Sequence, residues 1–373
     1  MLKRFFEYIR ITPHTLIVVL ILLTLVDGVV RLYWSGLYRA PGRVRLVNEE
    51  LATLQTMRNE IIAAKGFKIL FLGDSAAYGS AVKDSSQTIP AYLEQELSSR
   101  WPGRQIKVFN FSFKGFGMSE NYFLLNAMAD TDLDLVIYNV STGWFNREKT
   151  FEHPNVALLS DRYFGNSQIS KTGTLPHRST RETVIGKVNQ AVGRVWRLYQ
   201  NRSAITTLLL GKSIRAKLTE WQLAITDPGE LQKQRKEEGE LYRPWYEKDW
   251  SVKLGKAGYK FGWVNLNSGN PQVIFYNLML DLLAEKKQNA FFYTSPQNFT
   301  LLDRYTMLDR KAWAVSCTRL RSITSRKGVY LADYTTLVDD RYFSDTVHLN
   351  ALGNQQVARQ LARDISKQLG GNK

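Results

Sequence analysis

The chain has 373 residues, 44% of them hydrophobic, which excludes a disordered chain and allows one large core or two small ones. Fifty Lys and Arg against 34 Asp and Glu give a net charge of +16, which favours anionic partners. No Walker loop, zinc-finger spacing or RNA-binding aromatic signature accompanies that charge, so no nucleic-acid partner is expected.

Residues Thr15 to Trp34 read TLIVVLILLTLVDGVVRLYW, long enough to cross a bilayer and closed by an aromatic pair. Lys3, Arg4 and Arg10 precede the run and favour a cytoplasmic amino terminus. No small-x-small cleavage site follows, so the reading is an uncleaved single-pass anchor with the bulk of the chain outside the cytoplasm. Asp27, near the end of the span, is placed at the interface or against a membrane partner.

Val47 to Lys65 has helical apolar spacing, ends at Gly66, and reads as a helix leading from the membrane into the domain. Phe67 to Leu72 is a short apolar strand, followed at once by Gly73-Asp74-Ser75. A helix over Ser86–Arg100, a strand over Ile106–Phe111, a helix over Met118–Asp130 and a strand over Leu133–Val140 follow. The pattern is lost between Phe151 and Asn270, which reads as a large, partly helical insertion. Within it, Lys171 to Lys217 carries ten Lys and Arg and one acid, Glu182, interleaved with Trp196, Tyr199 and Leu208–Leu210. That stretch reads either as a solvated helical face or as a docking surface for an anionic polymer or lipid headgroups.

Beyond the insertion come a helix over Pro271–Lys287, a strand over Ala290–Thr294, a helix over Leu308–Lys327, a strand over Val329–Leu331 and a helix over Ala351–Leu369. Strands alternating with helices predict a parallel sheet covered on both faces. The domain plan is a cytoplasmic tail (1–14), an anchor (15–34), a helical linker (35–66) and one domain (67–373) with an insertion at about 151–270. Cys317 lies on a predicted helix, is the sole cysteine, and reads as a small structural residue.

Ser75 ends the first strand of the domain, where open α/β sheets place their ligands. Its backbone N–H can then help to hold an oxyanion. A serine becomes nucleophilic when a base takes its proton, and imidazole suits that task near neutral pH. Only four histidines are available: His14, His153, His177 and His348. The same scarcity argues against a multi-histidine metal site, and neither a metal nor a cofactor is expected. Asp345-Thr346-Val347-His348 precedes the last helix, and a carboxylate three residues before the histidine can orient its ring.

Gly-Asp-Ser after the first strand, paired with Asp-x-x-His before the last helix, resembles the SGNH (GDSL-type) hydrolase family. The resemblance implies a three-layer α/β/α fold and a Ser75–His348–Asp345 triad. It also implies an oxyanion hole built from Ser75, a glycine and an asparagine. Gly115 fits the glycine, with Gly117 in reserve. The family's Gly-x-Asn-Asp block is replaced here by Asn139-Val140-Ser141-Thr142-Gly143-Trp144-Phe145-Asn146, which leaves Asn139, or else Asn146, for the asparagine.

The anchor, the SGNH-like blocks and the segment FFYTSPQN look similar to envelope-polymer acylation proteins. Those include the D-alanine transfer protein of teichoic acid synthesis and the alginate O-acetylation proteins. The resemblance implies an extracytoplasmic O-acyltransferase on the bacterial cytoplasmic membrane, facing periplasm or exterior. It further implies a membrane-bound O-acyltransferase as partner and an anionic envelope glycan or polymer as acceptor. A periplasmic esterase or lipase would use the same residues, and a non-catalytic polymer-binding scaffold is the reading outside enzymology.

Overall fold

The computed structural model describes residues 12–47, 51–147, 150–153, 214–254, 261–325 and 329–370, with isolated positions between 156 and 205. The greater part of the basic stretch from Lys171 to Lys217 lies outside the described residues, as does His177.

Helix α1 (Pro13–Leu37) begins with Thr12 as its N-cap and outruns the expected span at both ends. Its 18-residue apolar window has a mean hydropathy of 2.4 and is 11% buried. A core helix of a soluble domain would be mostly buried, so the exposed apolar face fits a single-pass membrane anchor. Asp27 is itself buried, with Arg31 Nε 2.7 Å from its carboxylate one turn on. Beyond the helix the chain is fixed at once. Gly42 N–H donates to the buried Glu94 carboxylate at 3.1 Å, and the Arg45 guanidinium donates to the carbonyls of Gly79 (3.1 Å) and Val82 (2.8 Å).

Helix α2 (Leu51–Ala63) corrects the linker reading. Leu54, Met57 and Ile61 recur on one face and are fully or almost fully buried in the core. Arg58 also donates to the Ala127 carbonyl at 2.9 Å. The helix therefore belongs to the domain.

Five parallel strands form the sheet: β1 (Phe67–Leu72), β2 (Ile106–Asn110), β3 (Leu135–Val140), β4 (Ala290–Thr294) and β5 (Tyr330–Ala332), in the order β2-β1-β3-β4-β5. Side chains alternate across each strand. Leu70, Leu72, Phe109, Val136, Tyr138 and Phe292 face one core; Ile69, Phe71, Val108, Leu135, Ile137 and Phe291 face the other. The first core is closed by α2 and α5 (Met118–Met128), and by two helices from beyond the insertion, α8 (Pro271–Glu285) and α10 (Arg310–Ser325). The second is closed by α4 (Ile89–Arg100) and α11 (Ala351–Gly370). This is the three-layer α/β/α arrangement, with both faces of a parallel sheet covered.

Element ends moved for identifiable reasons. Thr88 caps α4 and Pro90 occupies its first turn, so Ser85–Gln87 forms a separate 3-10 turn. Leu308 pairs with Phe261 and Asp309 caps the turn that follows, so α10 starts at Arg310. A helix that the sequence pattern did not mark, α9 (Phe299–Arg304), is capped by Asn298. Cys317 on α10 is half-buried, and burial pushes its thiol up to about 12.

The insertion contributes α6 (Ile214–Thr226) and α7 (Pro228–Glu240), and its tail is built into the domain. Trp245 and Trp250 are buried in the second core, Val264 and Leu266 in the first. Trp245 donates its indole N–H to the Asp340 carbonyl (2.8 Å) and its backbone N–H to that of Phe343 (3.2 Å), while Lys248 Nζ reaches the Ser344 carbonyl at 2.5 Å.

Candidate active site

Ser75 is the first residue of α3 (Ser75–Tyr78), a single helical turn at the carboxyl end of β1. Gly73 is required by space: a Cβ there would lie 2.6 Å from the Ala77 Cβ and 3.1 Å from that of Asn139. Asp74 caps the turn, its Oδ1 accepting from Ala76 N–H at 2.9 Å. Its Oδ2 accepts the Trp144 indole N–H at 3.0 Å, a contact the sequence did not suggest. The turn closes at Gly79, whose φ of 77° is readily available only to glycine. At the first helical position the Ser75 N–H has no partner within the helix, and among the described residues no protein group accepts it.

The opposite wall is the loop before α11. Phe343 and Leu349 form an antiparallel bridge at its base, and Ser344 N–H donates to the His348 carbonyl at 2.8 Å. Asn298, the cap of α9, donates its Nδ2–H to the Asp345 carbonyl (3.2 Å) and its backbone N–H to that of Thr346 (2.9 Å). Asp345 Oδ1 accepts the backbone N–H groups of Val347 (2.8 Å) and His348 (2.7 Å). Its Oδ2 lies 2.6 Å from His348 Nδ1, and His348 Nε2 lies 2.8 Å from Ser75 Oγ.

An ionised carboxylate can only accept, so the contact with Asp345 places the ring proton on Nδ1. Nε2 of the neutral ring is then free to accept the Ser75 hydroxyl proton. Burial works against an imidazolium here. The Asp345 charge and hydrogen bond outweigh it, with help from Asp74, and hold His348 above the ordinary histidine pKa. Burial likewise opposes the Asp345 carboxylate, but the His348 charge and the N–H donors leave its pKa below the usual range. The pair is poised as ring-orienting carboxylate and base, and the arrangement can take a proton from Ser75 as it attacks a carbonyl.

The residues expected for the oxyanion hole separate. Gly115 sits at φ 84° in the loop after β2, and among the described residues no protein group accepts its N–H. Gly117 is corrected as a reserve: it precedes α5 and its N–H is spent on Glu120 Oε2 at 2.9 Å. Asn139, the other expected donor, is buried at the end of β3, and among the described residues its Nδ2 has no protein acceptor. Its side chain is 1% exposed, lies beneath Gly73, and accepts from Ser295 Oγ at 3.0 Å. Asn146 faces away from the nucleophile's loop, its Nδ2 donating to the Trp263 carbonyl (2.7 Å) and its Oδ1 accepting from Asn265 N–H (2.8 Å). Two residues of this block reach the Gly-Asp-Ser turn: Asn139 beneath Gly73, and Trp144 through its bond to Asp74.

A basic and aromatic rim borders Ser75. Lys114 Nζ lies 5.6 Å, and the Arg45 guanidinium 5.2 Å, from the centre of the Tyr78 ring. Burial and the Arg45 charge push the Lys114 pKa down. Tyr242, from the end of the insertion, carries Lys83 Nζ at 5.1 Å.

A parallel sheet with Gly-Asp-Ser after β1 and Asp-x-x-His before the last helix is the arrangement that the resemblance to SGNH hydrolases implies. Residues 275–363 match the family model of the DltD protein, so this part of the chain is similar to that family. No curated protein matches it. Similar solved structures include a candidate acylhydrolase from Bacteroides fragilis NCTC 9343, 11% identical, covering 86% of this chain and 99% of that one, with a TM-score of 0.37. A GDSL-like lipase from Bacteroides thetaiotaomicron VPI-5482 is 10% identical over 85% and 99% of the two chains, with a TM-score of 0.36.

Proposed function

We propose that this chain is a membrane-anchored serine acyltransferase of the bacterial envelope. In this reading α1 spans the cytoplasmic membrane and the α/β domain faces the periplasm or exterior. The observation that carries it is one imidazole held 2.6 Å from Asp345 and 2.8 Å from Ser75.

Ser75 Oγ attacks the acyl carbonyl while His348 Nε2 takes its proton. The carbonyl oxygen gains the negative charge, and the N–H groups of Ser75 and Gly115 hold it. The tetrahedral adduct collapses, His348 returns the proton to the departing oxygen, and an acyl ester remains on Ser75. An acceptor hydroxyl then gives its proton to His348 and attacks that ester. Collapse of the second adduct transfers the acyl group and restores the Ser75 hydroxyl.

The acyl group is acetyl or similar, supplied in this reading by a membrane-bound O-acyltransferase, and the acceptor is an anionic envelope polymer. Lys114, Arg45 and the Tyr78 and Tyr242 rings support that acceptor, since cations beside aromatic faces suit an acidic glycan. A serine-directed fluorophosphonate probe should label the purified chain, and S75A should abolish labelling. Mass spectrometry of products with and without a glycan acceptor separates transfer from hydrolysis. Unchanged envelope acylation in cells carrying only S75A would sink the reading.

A further inference from the structure

The Lys114–Gly115 peptide, which carries the second N–H of the proposed oxyanion hole, is held from behind by a side chain of the insertion. His153 Nε2 lies 2.8 Å from the Lys114 carbonyl oxygen. A carbonyl is an acceptor, so Nε2 must carry the proton in this contact. The ring stands edge-on to Phe113 and Phe116, with centroids 5.4 Å away in each case. A Cβ on Gly115 would come 2.8 Å from Nε2, so the ring lies directly against this peptide.

His153 is itself fixed by a buried carboxylate. Glu120 Oε1 accepts the backbone N–H groups of Glu152 (2.8 Å) and His153 (3.0 Å). Its Oε2 accepts Gly117 N–H and Ser119 Oγ–H, both at 2.9 Å. Glu120 is fully buried, so these donors replace the water it loses. Gln272 from α8 adds a second tie, donating Nε2–H to the Thr150 carbonyl at 3.2 Å while its Oε1 accepts Met118 N–H at 2.9 Å. The start of the insertion is thus bound to the first turn of α5 and braces the loop between β2 and that helix.

The two dipoles of a trans peptide point to opposite sides, and among the described residues no cis peptide is present. With its C=O turned to His153, this peptide directs its N–H away from His153. The same loop lies on the Ser75 turn: Phe113 N–H donates to the Gly73 carbonyl at 3.4 Å, and the Phe113 ring meets Tyr78 at 5.6 Å. We propose that His153 is a positioning residue for acyl transfer, fixing the Lys114–Gly115 peptide so that Gly115 N–H faces the oxyanion. The role rests on the acyl-transfer reading above, because the hole matters only if Ser75 attacks a carbonyl.

The test uses the full chain in detergent with p-nitrophenyl acetate as acyl donor. H153F keeps a ring between Phe113 and Phe116 but removes the donor; H153Q restores an N–H donor. H153F should lower kcat roughly 10- to 100-fold, at most the low end of the roughly 10²- to 10³-fold cost of losing an oxyanion donor outright, with KM nearly unchanged. It should weaken inhibition by a phenylboronic acid, whose adduct with Ser75 imitates the tetrahedral intermediate, by a similar factor. H153Q should recover most of both losses. Wild-type kcat and boronate affinity in a folded H153F would overturn the role, as would equal losses in H153F and H153Q. Wild-type protein that neither turns over the ester nor loses probe labelling on S75A would count against the acyl-transfer reading itself.

Discussion

The two walls of the cleft are held in different ways. In the 343–350 wall the catalytic side chains are held locally: Asp345 takes N–H groups from residues two and three positions on and a short β-bridge closes the loop, while Asn298, Trp245 and Lys248 tie its backbone carbonyls from outside. In the 113–117 wall the loop peptide itself is held from afar: His153 of the insertion reaches the Lys114 carbonyl, and Gln272 of α8 ties the insertion to the Met118 N–H at the start of α5. A wall closed by its neighbours keeps its geometry when remote parts of the chain change. A wall closed from afar is sensitive to every element that reaches it.

Substitutions can break this contrast, beginning with the local wall. S75A should reduce turnover of p-nitrophenyl acetate by roughly 10⁴- to 10⁶-fold with an unchanged melting profile, because the attacking atom is gone and the packing is not. D345N should cost roughly 10³- to 10⁴-fold in kcat, since an amide lets the ring take the wrong tautomer.

The pH profile sharpens the same wall. A His348 pKa above the ordinary value of about 6.5 means that the imidazolium persists to higher pH, where it cannot accept the Ser75 proton. The acid limb of kcat/KM should therefore lie above 6.5, and D345N should move it downward. For stability the signs differ between partners. The raised His348 pKa adds stability at low pH that is lost as pH rises through it, whereas the lowered Asp345 pKa adds stability that is lost as pH falls through it.

Smaller effects probe the segment that follows β3, outside both walls. W144F removes the indole donor from the buried Asp74 carboxylate and should cost about 1–3 kcal/mol in a denaturant melt, with a modest loss of kcat. N146A should cost about 1 kcal/mol of stability while the folded enzyme keeps its kcat, because its amide holds residues 263–265 and not the oxyanion. A large kcat loss in N146A would reverse the assignment.

This asymmetry also explains what the sequence revealed. Asp345 and His348 are three residues apart and Ser75 directly follows a buried strand, so their roles are written in short spacings. The sheet was legible because strands buried on both faces read as apolar runs, as Phe67–Leu72 and Ala290–Thr294 do. The oxyanion side was not. Asn139 and Asn146 look equally suitable in a string, and only packing shows one beneath Gly73 and the other tied to Trp263. Glu120, His153 and Trp144 gave no signal because the partners that link them to the insertion and the nucleophile's turn lie 32 to 70 positions away. Asn298 could have been found, since an asparagine three residues before a short apolar run is a helix-cap signal.

The contacts just after α1 have a mechanical consequence. Leu37 ends the helix, and eight residues later the Arg45 guanidinium grips the carbonyl of Gly79, at the end of the turn that Ser75 begins. Even fully extended, that stretch spans no more than about 30 Å. With α1 in a bilayer, the domain hangs on a strut and not on a long leash. Ser75 then works at a fixed, low height above the lipid, and under the proposed acyl transfer both donor and acceptor would have to be brought to it along the membrane plane.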